Sequence, residues 1–456
     1  MRVTFFALIT NYYFLSFFVL CLGMLFGESR RMGKLRFGVS GPFFVGIVTG
    51  WGVYSLALTV PPNDPAYEVV RTMMKNNVVP ANLEAFMLTL FVAAVGLIAS
   101  RDLRFVLKKY GAKFLVLGAL ITAFGAVTAY VGCVKLLPGG NAYRASGLYT
   151  GALTSSPGLG AALESSAGDA VTEAGRYEGM TRGEQAELLL RIDPSGRLTP
   201  EDAPRLTEEH IDALAVNTSA EVGMAYAIAY PFGLISVILG MMFLPRLFRI
   251  DCASELALHR SELNALRAGD GAEKIESVEF DFKSYALVCA AGYIVGLPEV
   301  RMGGLGVFRL GATGGVFISS VAFGYIGKLG PFIFRMSGNT INTFKDISLG
   351  TYLGMVGLTY GYSVVNSLAG PGILYAAASL VIGMLCVLVG FLVGRYAFGL
   401  NWVLLSGAIC GGMTANPGLG VVSSIMGSDE PAAGYAAAYP TAITGMVFCT
   451  LLMYAA

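Results

Sequence analysis

The chain has 456 residues; 55% are apolar, only 13% are charged, and the net charge is +1. A soluble chain carries roughly 25% charged residues, so this one has too few polar groups to cover a water-facing surface. That balance excludes a cytosolic enzyme, a nucleic-acid binder and a disordered chain, and leaves an all-α polytopic membrane protein.

A spanning helix needs roughly 20 apolar residues. In chain order the predicted crossings are 4–27, 37–60, 84–100, 113–136 and 222–245, then 284–298, 307–326, 347–366, 372–394 and 432–455. The first is expected to stay in place as a span and not to be a cleaved leader. Its positive charges (Arg30, Arg31, Lys34, Arg36) follow the apolar run instead of preceding it. Segments 145–165 and 403–425 are apolar too, but crowded with Gly, Ser, Thr and Pro. Two polar loops, 166–221 and 246–283, hold 31 of the 61 charged residues. The first is acidic and contains two amphipathic stretches, Thr181–Arg191 and Thr207–Ala215, expected to form a small solvent-facing cap. The seven cysteines include no C-x-x-C pair and read as small core residues. His210 and His259 both lie in polar stretches, so neither a zinc site nor a histidine proton relay is expected in the membrane.

The two halves resemble each other. C-L-G-M-L-F-G (Cys21–Gly27) parallels A-A-G-Y-I-V-G (Ala290–Gly296), and F-G-V-S-G (Phe37–Gly41) parallels L-G-A-T-G (Leu310–Gly314). V-G-L recurs at Val95–Leu97 and Val356–Leu358. G-L-Y-T-G-A-L-T-S-S-P-G-L-G (Gly147–Gly160) parallels G-A-I-C-G-G-M-T-A-N-P-G-L-G (Gly407–Gly420), and A-Y-A-I-A-Y-P (Ala225–Pro231) parallels G-Y-A-A-A-Y-P (Gly434–Pro440). The order is kept throughout. If 145–165 and 403–425 each enter and leave on one side, each half has five crossings and the repeats have inverted topology. Loops 28–36, 101–113, 246–283, 327–346 and 395–402 then fall inside with 19 Lys and Arg residues, against 12 elsewhere, as the positive-inside rule asks. The expected organisation is a first repeat at 1–245 with the polar extracytoplasmic insert 166–221, a cytoplasmic linker at 246–283, and a second repeat at 284–456, with both termini outside.

The candidate site is the pair of broken segments: Thr154, Ser155, Ser156, Pro157 and Gly158 with Thr414, Ala415, Asn416, Pro417 and Gly418. Pro removes a backbone donor and Gly admits geometries a helix cannot use, so these segments unwind. Unwound backbone at membrane depth survives only inside protein or along a cavity, where half-helix N–H groups can hold a substrate carboxylate. The next helix in each half carries Tyr226 and Tyr230, or Tyr435 and Tyr439, each pair four apart on one face. Tyr230 and Tyr439, beside Pro231 and Pro440, are expected to line the site; the plainer reading is an aromatic belt at the membrane surface. Glu164 reads as a carboxylate at the membrane edge, with cation binding as the functional option.

These residues bring a family into view. L-G-M-L-F-G with its basic turn, V-G-L-I-A-S-R-D-L (Val95–Leu103), K-Y-G-A-K (Lys109–Lys113), the hydroxyl-rich G-A-L-T-S-S-P and G-K-L-G-P (Gly327–Pro331) resemble the aspartate:alanine exchanger family of bacterial secondary transporters. That family is grouped with the bile acid, arsenite and riboflavin transporter superfamily. The resemblance implies a multi-pass protein of the bacterial inner membrane that exchanges anionic amino acids or dicarboxylates. Typical members carry paired regulatory domains in the central cytoplasmic loop; residues 246–283 leave no room for them.

The expected function is therefore secondary active transport of a small carboxylate, with no enzymatic activity. No His stands in a crossing to serve as a base for a Ser nucleophile, and neither H-E-x-x-H nor G-x-x-x-x-G-K-[ST] occurs. No cofactor is expected beyond a coupling proton or sodium ion. The partners are a small carboxylate and the lipid bilayer, with no nucleic acid; a homodimer fits a transporter built from a moving core and a fixed scaffold. A proton- or sodium-coupled cation antiporter is the competing reading. It is disfavoured because the crossings hold no central Asp, Lys or Arg.

Overall fold

The computed structural model describes residues 2–28, 38–193, 196–269, 278–301, 307–336, 339–370 and 372–455. The first half contains α1 (Arg2–Ile9), α2 (Tyr12–Glu28), α3 (Gly41–Leu58), α4 (Tyr67–Asn76), α5 (Ala81–Leu136), α6 (Ala142–Ala152), α7 (Ser156–Ala174), α8 (Arg182–Ile192) and α9 (Glu208–Leu247). The linker forms α10 (Cys252–Gly269). The second half contains α11 (Phe282–Gly296), β1 (Glu299–Arg301), β2 (Val307–Arg309), α12 (Gly311–Ile326), β3 (Lys328–Leu329), β4 (Phe332–Ile333), α13 (Asn339–Ala369), α14 (Ile373–Leu392), α15 (Trp402–Gly412), α16 (Asn416–Met426) and α17 (Pro431–Ala455). The strands form two small antiparallel pairs, β1 with β2 (Glu299 opposite Arg309) and β3 with β4 (Lys328 opposite Ile333).

Six helical stretches among the described residues are long and apolar enough to cross a membrane: Gly38–Leu58, Ala81–Arg101, Leu103–Leu136, Glu208–Leu247, Ile373–Ala397 and Pro431–Tyr454. Shorter apolar helices join them. Phe17, Val48, Val127, Leu136 and Ile294 stand exposed, a surface suited to lipid and not to water. The protein is an all-α polytopic membrane protein.

Three expectations shift in detail. The apolar run 4–27 is two helices, because Asn11 accepts a bond from the Phe14 amide at 3.0 Å and starts a new helix there. Crossings 84–100 and 113–136 belong to one helix. The expected loop at 101–113 contains no Pro and a single Gly, so nothing stops the helix, and charge alone does not break one. The acidic stretch 207–215 is likewise the first turns of the crossing α9, opened by a capping box between Thr207 and His210. The insert has its own core of Tyr177, Leu188, Leu189 and Leu214, and Thr181 with Glu184 caps its helix α8. The basic turn 29–37 lies outside the described residues.

The largest core cluster runs through α5, α6, α9 and α13 to α17. Matched glycines bring its helices together. A side chain at Gly147 would strike the Val222 carbonyl of α9, 2.2 Å away, and one at Gly407 the Pro431 carbonyl of α17, 1.7 Å away. One turn further on, Gly151 abuts Tyr226 and Gly411 abuts Tyr435. Both rows have the G-x-x-x-G spacing that lets membrane helices approach backbone to backbone.

Candidate substrate site

Each broken segment is a helical hairpin with its two feet side by side. In the first, Tyr143 at the start of α6 donates to Asp169 near the end of α7 at 2.8 Å. Asn141 and Arg144 are both bonded to Glu221 of α9. In the second, the foot of α15 is held by Glu255 of α10, which accepts from the Trp402 amide at 2.8 Å. The end of α16 runs into Glu430, which pairs with Arg260, also of α10, at 2.8 Å.

The course of α9 orders these parts. Its Val222 packs on the foot of the first hairpin, and its Gly233 packs on the carbonyls of Gly151 and Ala152 at that hairpin's tip. Val237 then meets Gly418 at the tip of the second hairpin. Pro245 and Ile425 share a cleft near the second foot. From Val222 to Pro245 a helix rises about 35 Å, close to the hydrocarbon thickness of roughly 30 Å. The tips therefore meet about half-way along this stretch of α9. Helix α17 makes the journey in reverse, from Pro431 at the second foot to Tyr454, whose hydroxyl donates to Ala162 of α7 at 3.0 Å.

The two tips have the same backbone. Thr154 and Thr414 both sit in the left-handed region, with φ of 56° and 52°. The amide of Thr154 bonds to Gly151 O at 2.9 Å and that of Ser155 to Thr150 O at 2.7 Å. Thr414 bonds to Gly411 O at 3.0 Å and Ala415 to Cys410 O at 2.8 Å. This is the Schellman closure of a helix C-terminus, made twice with Thr where Gly is usual. Pro157 and Pro417 then open the next helices within their first turns, where a missing N–H costs nothing. The α6 and α15 carbonyls are consumed by the closure, while α7 and α16 begin with their amide ends at the same depth.

The tips touch. The Thr414 hydroxyl points at the Leu153 carbonyl oxygen at 3.5 Å, the long limit of a hydrogen bond. The Thr154 hydroxyl is buried, at 6% exposure, and has no hydrogen-bond partner among the described residues. Ser155 caps its own helix through the Gly158 amide at 3.1 Å. Ser156 opens α7 and is exposed. Asn416 accepts from Tyr435 at 2.7 Å; Ala415 is fully buried. The structure thus brings Thr414 of the second tip to Leu153 of the first, and pairs Asn416 with Tyr435 of its own half.

The tyrosines are not a surface belt. Tyr226, Tyr230, Tyr435 and Tyr439 are all buried, with 5.3 Å between ring centres in each pair. Tyr230 shares a 2.8 Å hydrogen bond with Tyr352 of α13, and Tyr439 packs edge-on against Phe317. The Glu164 side chain lies outside the described residues.

Sequence reasoning missed the charged residues around the second foot. A polar cavity of about 560 Å³ opens there, lined in part by Arg101, Arg260, Lys345, Asp346, Asp429 and Glu430. Lys345 is buried and ion-paired with Asp429. The signal was S-D-E at 428–430, three polar residues directly after a broken segment. Nearby, α10 is tied to α5 where Lys109 and Tyr110 bond Glu262. Burial pushes the Glu262 carboxyl up, but the hydrogen bonds from Lys109 and Tyr110 outweigh it and hold the group below its usual range.

Helices of this length and apolarity, lipid-suited flanks and a pair of broken, buried helical segments define a multi-pass membrane protein. The model of a predicted permease membrane region matches residues 15–246 and 284–455, and the chain belongs to that family, the aspartate:alanine exchanger family. It is 32% identical over 185 residues to an uncharacterized transporter of Bacteroides thetaiotaomicron, covering 41% of this chain and 34% of that one. It is 32% identical over 165 residues to one from Rhodopirellula baltica, covering 36% and 31%. Against one from Desulfotalea psychrophila it is 26% identical over 162 residues, covering 36% and 30%. The chain thus spans about a third of the length of these curated relatives. No solved structure matches it.

Proposed function

We propose that the protein is a secondary active exchanger of small anionic amino acids or dicarboxylates in the bacterial inner membrane. The substrate binds between the two hairpin tips and is exposed alternately to either side. The observation that carries this reading is the contact between two matched tips half-way along α9, beside a buried Thr154 hydroxyl that has no hydrogen-bond partner among the described residues. The amide ends of α7 and α16 carry partial positive charge, which favours a carboxylate over a cation. Hydroxyls at Thr154, Ser155, Ser156 and Thr414, the Asn416 amide and the phenols of Tyr230 and Tyr439 supply neutral hydrogen bonds. Pro157, Gly158, Ala415, Pro417 and Gly418 shape the backbone. The cavity at the foot of the second hairpin is the approach from the α10 side. We read the opposite courses of α9 and α17 as supporting inverted repeats at 1–245 and 284–456.

The test is counterflow. Purified protein in liposomes is loaded with unlabelled aspartate, alanine or succinate in turn, and uptake of the labelled counter-substrate is followed. Uptake should require an internal carboxylate. Insensitivity to every carboxylate, together with a response to sodium or potassium gradients alone, would replace this reading with the cation antiporter.

A further inference from the structure

An ionisable group that the tips do not use stands beside them. Glu84 lies in the first turn of α5 and opens the apolar stretch Ala81–Arg101. It is half-buried, and Thr359 of α13 donates its hydroxyl to it. Four phenols are close enough to feel its charge: Tyr352 and Tyr360 from α13, Tyr226 and Tyr230 from α9. Among the described residues no Lys, Arg or His is ion-paired with it. The phenols lead toward the first tip. The Tyr360 and Tyr230 ring centres are 5.3 Å apart, as are those of Tyr230 and Tyr226, and Tyr226 packs on Gly151, just before the first tip.

A carboxylate within a spanning helix is costly unless it is paired or its charge is neutralised, and such residues mark ion and proton pathways. A carboxylate kept permanently ionised for structure would call for a fixed counter-cation, and among the described residues none is ion-paired with it. A sodium ion would need several oxygen ligands beside the positive end of α5, which repels a cation. A proton needs only one carboxylate oxygen. We propose that Glu84 is the proton-coupling residue of this transporter: its carboxylate binds one proton from one side of the membrane and releases it to the other, in step with carboxylate movement at the neighbouring hairpin tips. Only an O–H bond forms and breaks, and water on either side supplies and accepts the proton. The inference rests on the proposed carboxylate transport for its coupling, though not for the titration of Glu84 itself.

Two measurements test it on the full chain in liposomes. The first needs no substrate: pH-difference infrared spectra of the wild type should show the carbonyl band of a titrating carboxyl. That band should vanish in Glu84→Gln and shift in Thr359→Val, which removes its hydroxyl partner. A band unchanged in Glu84→Gln sinks the proposal. The second uses labelled aspartate and labelled succinate. A pH gradient should drive accumulation in the wild type and not in Glu84→Gln, while gradient-free counterflow survives in the variant. Glu84→Asp should restore the driven uptake with a displaced pH profile. Equal pH-driven accumulation in wild type and Glu84→Gln, or accumulation driven by sodium instead, overturns the proposal. If neither probe is transported by the wild type, the exchanger reading fails, and the infrared titration still decides whether Glu84 exchanges a proton.

Discussion

Thr154 and Thr414 are β-branched residues held where an L-residue is crowded by its own carbonyl. Such a conformation costs on the order of 1–3 kcal/mol and persists only where the surroundings impose it. Glycine would terminate the helices without that cost, so keeping Thr twice suggests a use for the side chain. The two properties separate by mutation. Thr154→Gly and Thr414→Gly should leave thermal stability unchanged or raised, yet weaken counterflow. Thr154→Val keeps the strain and removes the hydroxyl, and should weaken counterflow without a stability gain. A hydrogen bond to a charged group is worth about 1.5–3 kcal/mol, so the apparent affinity should fall roughly ten- to hundred-fold. Undiminished transport in all three variants would remove the hydroxyls from the site. Asn416→Ala tests a different contact, since its partner is Tyr435. Its loss should show in the stability of α16 against α17 as well as in transport.

The glycine rows decide how closely the hairpins seat against α9 and α17. A methyl group at Gly147 or Gly407 would meet a backbone carbonyl at about 2 Å, and overpacking of this kind costs roughly 1–3 kcal/mol. Gly147→Ala and Gly407→Ala should therefore lower the melting temperature in detergent. Gly160→Ala, with nothing within 4 Å of the new carbon, should not. A pH effect belongs to α10. Because Glu262 sits below its usual range, its bonds to Lys109 and Tyr110 stabilise the tie above the unfolded-state value. That stability is lost as pH falls through the lower, folded-state value. Deuterium exchange across α10 should rise at acidic pH in the wild type and already be high in Glu262→Gln. Much of this element structure was legible beforehand, because Pro, Gly and apolar run length carry direct backbone consequences. The fusion of 84–100 with 113–136 was not, since hydropathy registers the charges of 101–113 and is blind to a helix that continues through them. Asn11 escaped for the opposite reason: a single polar side chain can end a helix without changing the average around it.

At the scale of the whole molecule, the two hairpin feet lie toward opposite ends of α9. Residues 166–221 should accordingly face one side of the membrane and 246–283 the other. Single cysteines placed in each loop of a cysteine-free variant, labelled by an impermeant reagent in intact cells, should differ in reactivity; equal labelling of both would refute the arrangement. The meeting of the tips was readable from the matched T-x-x-P-G segments, because two breaks in a bilayer need shelter and each can shelter the other. The partners of Glu84 were not readable. Thr359, Tyr352 and Tyr230 are brought to it from two other helices, more than a hundred residues away in sequence, and only packing assembles them. Nor did the patterns reveal that Asn416 is engaged by Tyr435, a question of side-chain rotation that spacing leaves open.

The hairpin of α6 and α7 also constrains how the chain can be made. Its closest packing surface is α9, which begins at Glu208, more than thirty residues after α7 ends at Ala174. When α7 leaves the ribosome, the broken backbone at 153–155 can lean on α5, whose Gly125 lies against Leu153, but α9, which covers the Gly151 and Ala152 carbonyls, is still missing, and a half-sheltered break leaves polar groups unsatisfied in lipid. The hairpin must then wait at the membrane surface or beside the insertion machinery until α9 arrives, and enter the bilayer with it. A chain arrested near residue 200 should hold 142–174 within reach of an added protease, and one arrested well past 247 should protect it.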